Sequence, residues 1–474
     1  VATYLNNNLI TITNPNGNRT TPSYIRIDTD NYVFGEIAKI ESCKYHKNTF
    51  FDIKRVIGKK YTDIEFGSWQ FNIENKNNEA IYTTNSNNYT SVELATEIFK
   101  YLKSYASEYI GNNITNAVVT IPAHYNDSQR REIRNAAENA GLNVMKLLNE
   151  PTAAIIAYDI SNKCDIEKTV VVFDCGGGTT DISIATIFDG VIEVIAVGGN
   201  SHLGGNDIDT AILKYCIKDI QSKYKNIPSE RTIEKLRKQC EQAKKELSVT
   251  NEVIICQECV VGENDYLLKL SRSRFEIICS DIFSKCLQCM IDVFNTNNIQ
   301  KDTITDIIMV GGTTRIPVLR KMISDFFNGK ELHTNIDPDE VVAHGAAIHA
   351  KSLIDDTKNE NSTESLLIDI TANSYGIEIY DGKIITIIQK HTKIPCAKKK
   401  LFTTYSDNQH TISIKVYENE NRFLGMFKLE DLPRGEKGSI HIEVSFEIDI
   451  DGVLRVRAFD NTTKKMNDIE IKYN

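Results

Sequence analysis

The hydrophobic pattern of this chain changes rhythm once. Over roughly the first 350 residues, short apolar runs alternate with segments whose apolar positions recur every three to four residues. "NAVVTIPAHY" (116–125) predicts a strand. "NDSQRREIRNAAENAG" (126–141) predicts a helix, with Asn or Asp at its start and Gly141 past its end. "VMKLLNEPTAAIIAYD" (144–159) predicts a strand, a turn at Pro151 and an alanine-rich helix. "TVVVFD", three glycines and "DISIATI" predict two strands closed by a glycine hairpin. "DIIMVGGTTRIPVLRKMISDFF" (306–327) predicts a strand, a glycine turn and a helix. Residues 230–248 place Ile233, Leu236, Cys240, Ala243 and Leu247 on one helical stripe, and Ser273 with Glu276 predicts a capping box. This alternation is α/β architecture.

Residues 354–365 are polar and without period, which predicts a link. The apolar patch Leu366-Leu367-Ile368 follows at once. From 370 onward short alternating strands dominate: "KIITIIQ", "TISIKVYE", "SIHIEVSFEID" and "GVLRVRAFD". Turn pairs at Asp381-Gly382 and Asp451-Gly452 punctuate them. A two-lobed α/β unit followed by a β-sandwich is therefore expected.

Composition narrows the function classes. A net charge of −9 with no long basic block argues against nucleic acid as the main partner. No apolar run reaches the roughly 18–20 residues of a membrane-spanning helix. Eleven cysteines without an export signal predict reduced thiols and a cytosol-like compartment. The pairs Cys256/Cys259 and Cys286/Cys289 have spacing that suggests zinc. The first reads as a strand with its cysteines on opposite faces, the second as part of an apolar helical stripe. Buried soft cysteines are therefore expected at both. The chain opens on Val and not Met, and so reads as starting part-way into a longer product.

The glycine hairpin invites two readings. It is a plain tight turn, or it aims backbone N–H groups at an anion that side chains would otherwise keep away. It is no Walker loop, since no G-x-x-x-x-G-K-[ST] occurs. Thr179 adds a hydroxyl, and Asp174 and Asp181 add carboxylates suited to a magnesium–phosphate pair or an attacking water. "VGGTTRIP" (310–317) and "SHLGGND" (201–207) repeat the theme, which favours a nucleotide cleft between lobes.

"NRTTPSY", "FDIKRVIGKK", "NAVVTIPAHYNDSQRR", "LLNEPTAAIIAY", "VFDCGGGTTDIS", "HLGGNDID", "VGGTTRIP", "DPDEVVAHGAA" and "FTTYSDNQ" together resemble the 70-kDa heat-shock chaperones, in one unbroken order along the chain. The resemblance implies an α/β actin-like two-lobed ATPase domain over 1–353, with lobe I at about 1–163, lobe II at about 164–338 and a return helix at 339–353. It further implies a linker at 354–371 and an all-β sandwich peptide-binding domain at 372–474. The implied function is an ATP-dependent chaperone whose hydrolysis of ATP controls affinity for extended apolar peptides. The alternative is a non-hydrolysing peptide-binding holdase or a fragment with impaired ATPase.

By the same resemblance, Lys54 supports the terminal phosphate and attacking water. Glu150, Asp174 and Asp181 hold magnesium, largely through water, with Thr179 on the phosphate side. Gly176, Gly177 and Gly178 form the loop, and Gly204 and Gly205 a second turn. Glu241, Lys244, Lys245 and Ser248 match the adenosine side. Gly311, Gly312 and Arg315 match the adenine-proximal turn, with Asp339 in the cleft. Ile377, Tyr380, Phe402, Tyr405, Ile412 and Ile414 fall where the family lines its peptide channel. Pro122, Arg130, Leu366, Leu367 and Asp369 match the relay and linker. Implied cofactors are ATP/ADP, magnesium and potassium. Implied partners are unfolded polypeptides, a J-domain co-chaperone and a nucleotide-exchange factor, in the cytoplasm. The resemblance also implies a first phosphate loop before residue 1 and a helical lid after residue 474. Thr180, Asn206 and Ala372 depart from the family pattern.

Overall fold

The computed structural model describes residues 1–469 apart from 29–30, 68, 85–86, 162–165, 334–336, 356–365 and 461–465. Its central feature is a seven-stranded sheet. In spatial order the strands are Leu332–His333, Asp306–Val310, Lys168–Cys175, Thr180–Phe188, Val191–Asn200, Leu366–Ile370 and Lys393–Ile394. Lys168–Cys175 runs antiparallel to Thr180–Phe188 and parallel to Asp306–Val310. Its side chains alternate faces, and both faces are apolar. Val171 and Phe173 join a core with the helices Gly205–Tyr224, Glu230–Leu247 and Ser280–Thr296. Val170 and Val172 join the opposite core, with Glu150–Ser161. The latter helix packs on Val341–Asp355, and Gly345 makes that crossing possible: a Cβ there would lie 1.8 Å from the Ala153 carbonyl oxygen.

The N-terminal part is built from smaller sheets. Ala2–Leu5 pairs with Asn8–Thr11, and Asn116–Ile121 pairs in parallel with Asn143–Asn149. The helix Ser91–Ile110 starts on a full Thr90/Glu93 capping box, and Asp127–Asn139 starts on an Asn126/Gln129 box. After 370, two four-stranded antiparallel sheets face each other. One runs Ile384–Ile388, Tyr375–Glu378, Ile412–Glu418, Arg422–Leu429. The other runs Cys396–Thr403, His441–Ile448, Leu454–Asp460, Met466–Ile469. Their inward residues share one core.

Four local expectations are corrected. Pro151 makes no separate turn: the helix begins at Glu150, and proline occupies its first turn, where its missing N–H costs nothing. The helix after 271 is capped by Ser271, whose hydroxyl accepts from Arg274 N, with no capping box at Ser273 and Glu276. Cys256 and Cys259 are not buried. Cys256 lies with Ile254 on the strand's exposed face, while a bulge after Gln257 and a positive φ of 48° at Cys259 reset the alternation and turn Cys259 to solvent as well. Of the second pair, Cys286 is buried and Cys289 half-buried. The polar link lies outside the described residues from 356 to 365. The helix before it ends at Asp355. Among the described residues no helix is long and apolar enough to cross a membrane.

Candidate functional site

The three glycines close the hairpin between Lys168–Cys175 and Thr180–Phe188, with Cys175 opposite Thr180 and Asp174 opposite Asp181. Cross-strand partners share a face. Cys175 and Thr180 therefore turn into the core beneath the hairpin, and both aspartates lie on the other face. The tip is held from three sides. Gly176 O accepts from Gly205 N at 2.9 Å and from Thr313 Oγ1 at 2.8 Å, and Gly177 O accepts from Asn206 N at 2.8 Å. Arg55 donates to Gly178 O at 2.8 Å and pairs with Asp207 at 2.8 Å. These contacts explain the other glycines. A Cβ on Gly204 would meet Gly177 O at 2.7 Å, and one on Gly311, whose φ is +81°, would meet Cys175 O at 2.3 Å. The three glycine segments thus converge, as the sequence suggested.

Four charged groups gather against the aspartate face. Lys54 Nζ forms an ion pair with Glu150. Desolvation works against the Lys54 charge, but Glu150, Asp181 and Asp174 raise its pKa overall. Asp181 Oδ1 accepts from Ala123 N at 3.1 Å and meets His124 Nδ1 at 2.7 Å, while its buried Oδ2 has no partner among the described residues. Asp181 and Asp174 are driven apart in acidity. Burial pushes Asp174 well up, helped by Glu150 and Asp181. Asp181 is also desolvated, but His124, Lys54 and Thr179 bring it below the ordinary carboxylate value. Three carboxylates around one lysine leave a negative surplus, and Asp181 Oδ2 lacks a donor. That donor set fits a hydrated divalent cation. Among the described residues no three metal-ligating side chains are grouped closely enough to hold a metal directly.

The wall formed by the helix Glu230–Leu247 and the turn Gly311–Gly312 is tied into ion pairs. Glu241 bridges Lys39 of the N-terminal part and Lys245, each at 2.7 Å. Despite its desolvation these cations bring it to about 2. Lys244 pairs with Asp209 at 2.8 Å and donates to Gly205 O, and Ser248 donates to Lys244 O at 3.2 Å. Arg315 pairs with Asp337 at 3.0 Å and Asp339 at 2.9 Å, beside Gly312. Behind Lys54 an apolar cavity of about 860 Å³ runs between the unpaired edges of Ala2–Leu5 and Asn116–Ile121, against the helices Ser91–Ile110 and Val341–Asp355.

A relay leaves the same site. Ala123, whose N–H holds Asp181, accepts at its carbonyl from Arg130 at 3.2 Å. Arg130 also donates to Asn149 Oδ1 at 3.0 Å and to Asp451 O at 3.1 Å, and Asn149 donates to Asp369 Oδ2 at 2.9 Å. The linker strand Leu366–Ile370 carries Asp369 and adds in parallel to Val191–Glu193. Asp451, at a turn of the sandwich, pairs with Arg134, lies 3.7 Å from Lys146 and accepts from Leu147 N at 2.9 Å. Gly452 permits the approach, since a Cβ there would stand 3.2 Å from Arg130. Pro122 lies just before Ala123, and its carbonyl accepts from Tyr125 N at 3.1 Å.

The six residues expected to line a peptide channel divide. Ile377 and Ile414 lie in the sandwich core, Phe402 and Ile412 pack half-buried against it, and Tyr380 and Tyr405 are exposed and stacked at 6.2 Å. Sequence reasoning missed His124, Arg55, Asn149 and Asp451. His124, Arg55 and Asn149 carried a signal, since they sit beside the motif residues Pro122, Lys54 and Glu150.

The model of the family described as Hsp70 protein matches residues 1–474. The chain is 38% identical to a heat shock 70 kDa protein of Neurospora crassa over 97% of its own length and 74% of that protein. It is 38% identical to heat shock cognate 70 kDa protein 3 of Dictyostelium discoideum, over 99% of this chain and 78% of that one.

Proposed function

This chain belongs to the Hsp70 family, and on that premise we propose that Lys54, Glu150, Asp174 and Asp181 carry its ATP hydrolysis. The family is one of ATP-dependent chaperones, ATPases that bind nucleotide and unfolded polypeptides. We assign ATP and ADP as the nucleotides, with magnesium and potassium beside them. The adenosine end would lie along Glu241, Lys244, Lys245 and Ser248 and the turn Gly311–Gly312, with Arg315 stacking its planar guanidinium on the base and Asp339 orienting it. The phosphates would lie against Gly176–Gly178, Thr179 and the turn Gly204–Gly205.

The observation that carries this reading is geometric: two facing aspartates and Glu150 gather around Lys54 beneath the glycine hairpin, and one buried aspartate oxygen has no partner among the described residues. Phosphoryl transfer to water needs positioning and charge neutralisation more than covalent help. Magnesium, when bound, supplies positive charge to the phosphates and stabilises both aspartates as anions. Lys54 aligns the terminal phosphate and the water. Asp181 Oδ2 accepts the hydrogen bond of that water, while His124 and Ala123 N hold Oδ1 and so fix the carboxylate. Glu150 sets the position of Lys54.

We assign 1–353 to the ATPase, 354–371 to the linker and 372–474 to the sandwich. An extended apolar peptide would be gripped by backbone hydrogen bonds, near Tyr380 and Tyr405 and over Phe402, Ile412 and the core residues Ile377 and Ile414. Pro122 and Arg130 would signal nucleotide state to Leu366, Leu367 and Asp369. A J-domain co-chaperone, a nucleotide-exchange factor and a cytoplasmic location complete the proposal. Single-turnover hydrolysis with and without magnesium tests it. Magnesium-dependent release of phosphate is the expected result. Peptide binding with no turnover would favour the holdase instead.

A further inference from the structure

The linker strand and the Asp451 turn are not the only places where the sandwich meets the nucleotide-binding part. A second meeting point leaves an open cleft of about 460 Å³. Lys59, Lys60, Asp63 and Asn126 line it from one side, and Asn421, Arg422 and the ring of Phe423 from the other. Three cations face it against one carboxylate.

The surrounding protein neutralises that surplus only in part. Arg422 pairs with Glu418 at 3.1 Å. Lys59 lies 2.7 Å from His202 Nε2. His202 is brought down to about 4 by burial and by the Lys59 charge, so it is a neutral ring that offers Lys59 a lone pair and no counter-charge. Burial pulls Lys59 itself down to about 8, and the charges of Arg422 and Arg55 act in the same direction, against Glu65 and Asp63. The Lys60 ammonium has no partner among the described residues. Asn126 is also the N-cap of the 13-residue helix Asp127–Asn139, whose end is already met by the buried Asp127 carboxylate, itself held by Arg131 and Leu454 N.

We propose that this cavity is a binding site for a small oxyanion of the phosphate class, one that bridges the two parts of the molecule and favours their docked arrangement. The guanidinium of Arg422 offers a planar fork that matches an oxyanion, and the lysines supply point charges with free donors. The two halves of the site come from opposite sides of the interface, so the complete site exists only when they are docked. Anything that binds only the complete site stabilises docking by mass action, and docking raises its affinity by the same factor. The inference does not depend on ATP turnover, and its test uses no nucleotide.

The full chain is titrated with inorganic phosphate by calorimetry, against sodium chloride at equal ionic strength. Amide exchange of 366–370 is followed in parallel. The expected result is a saturable heat with phosphate alone, together with slower exchange in the linker strand. Burial pulls the Lys59 pKa down to about 8, so near that pH binding of an anion should take up protons, read as a heat that varies with the buffer's ionisation enthalpy. Arg422→Gln and Lys60→Gln should each weaken binding at least about tenfold, and Lys60→Arg should retain it. A heat unchanged in both neutral variants would place phosphate elsewhere and overturn the proposal. So would an equal response to chloride, or linker exchange that phosphate does not move.

Discussion

Lys54 stands among Glu150, Asp174 and Asp181, and its charge is matched to groups that a phosphate and a hydrated cation would rearrange. Lys54→Ala should therefore lower single-turnover hydrolysis by about 10²–10³, the usual loss for one preorganised donor, with little change in the affinity for ADP. Equal rates in the variant would remove Lys54 from the chemistry. Glu241 makes a separate prediction. Its carboxyl titrates at about 2 where 4.5 is ordinary, despite desolvation, because Lys39 and Lys245 flank it. A depressed carboxylate contributes stability that is fully present above its ordinary value and lost as pH falls through the folded value. The melting-temperature gap between the wild type and Glu241→Gln should be constant above about pH 4.5 and close towards pH 2. A gap that stays open at pH 2 would show that the Lys39–Glu241 bridge between lobes is not its source.

At the scale of elements, the glycine hairpin depends on backbones in close contact. Gly311→Ala would push a Cβ towards Cys175 O at a positive φ, and should cost about 2 kcal/mol or more in unfolding free energy. Loss of nucleotide affinity at unchanged stability would contradict that packing role. The hairpin was legible in the sequence because its determinants are local: apolar runs, three glycines and two aspartates. The stripe of Glu230–Leu247 was legible for the same reason. The role of His124 was not, although it sits two residues from Pro122, because its partner Asp181 lies 57 residues away. Asp451-Gly452 was read correctly as a turn, and Gly452 has φ +76°. Nothing in a turn signal says which distant surface its tip will meet. Cys259 misled because a bulge, which has no side-chain signature here, reset the alternation and put it on the exposed face with Cys256.

At the scale of the whole molecule, Arg130 touches every party to the proposed coupling: Ala123 beside Asp181, Asn149 beside Asp369, and the Asp451 turn. It is buried, and its planar fork reaches carbonyls in three directions, which lysine could not reproduce. Arg130→Ala should leave basal turnover near the wild-type rate and lower the stimulation of hydrolysis by bound peptide towards none, from a coupling of about 5–150-fold typical of linked sites. The central claim is that nucleotide state and peptide affinity are linked through this docked arrangement. The most direct measurement is the dissociation rate of a labelled extended apolar peptide from the full chain, before and after addition of magnesium–ATP. Release should accelerate by at least about tenfold, as a coupling of this class predicts, and the acceleration should vanish in Arg130→Ala. An unchanged release rate in the wild-type chain, with ATP shown to be bound, would contradict the account.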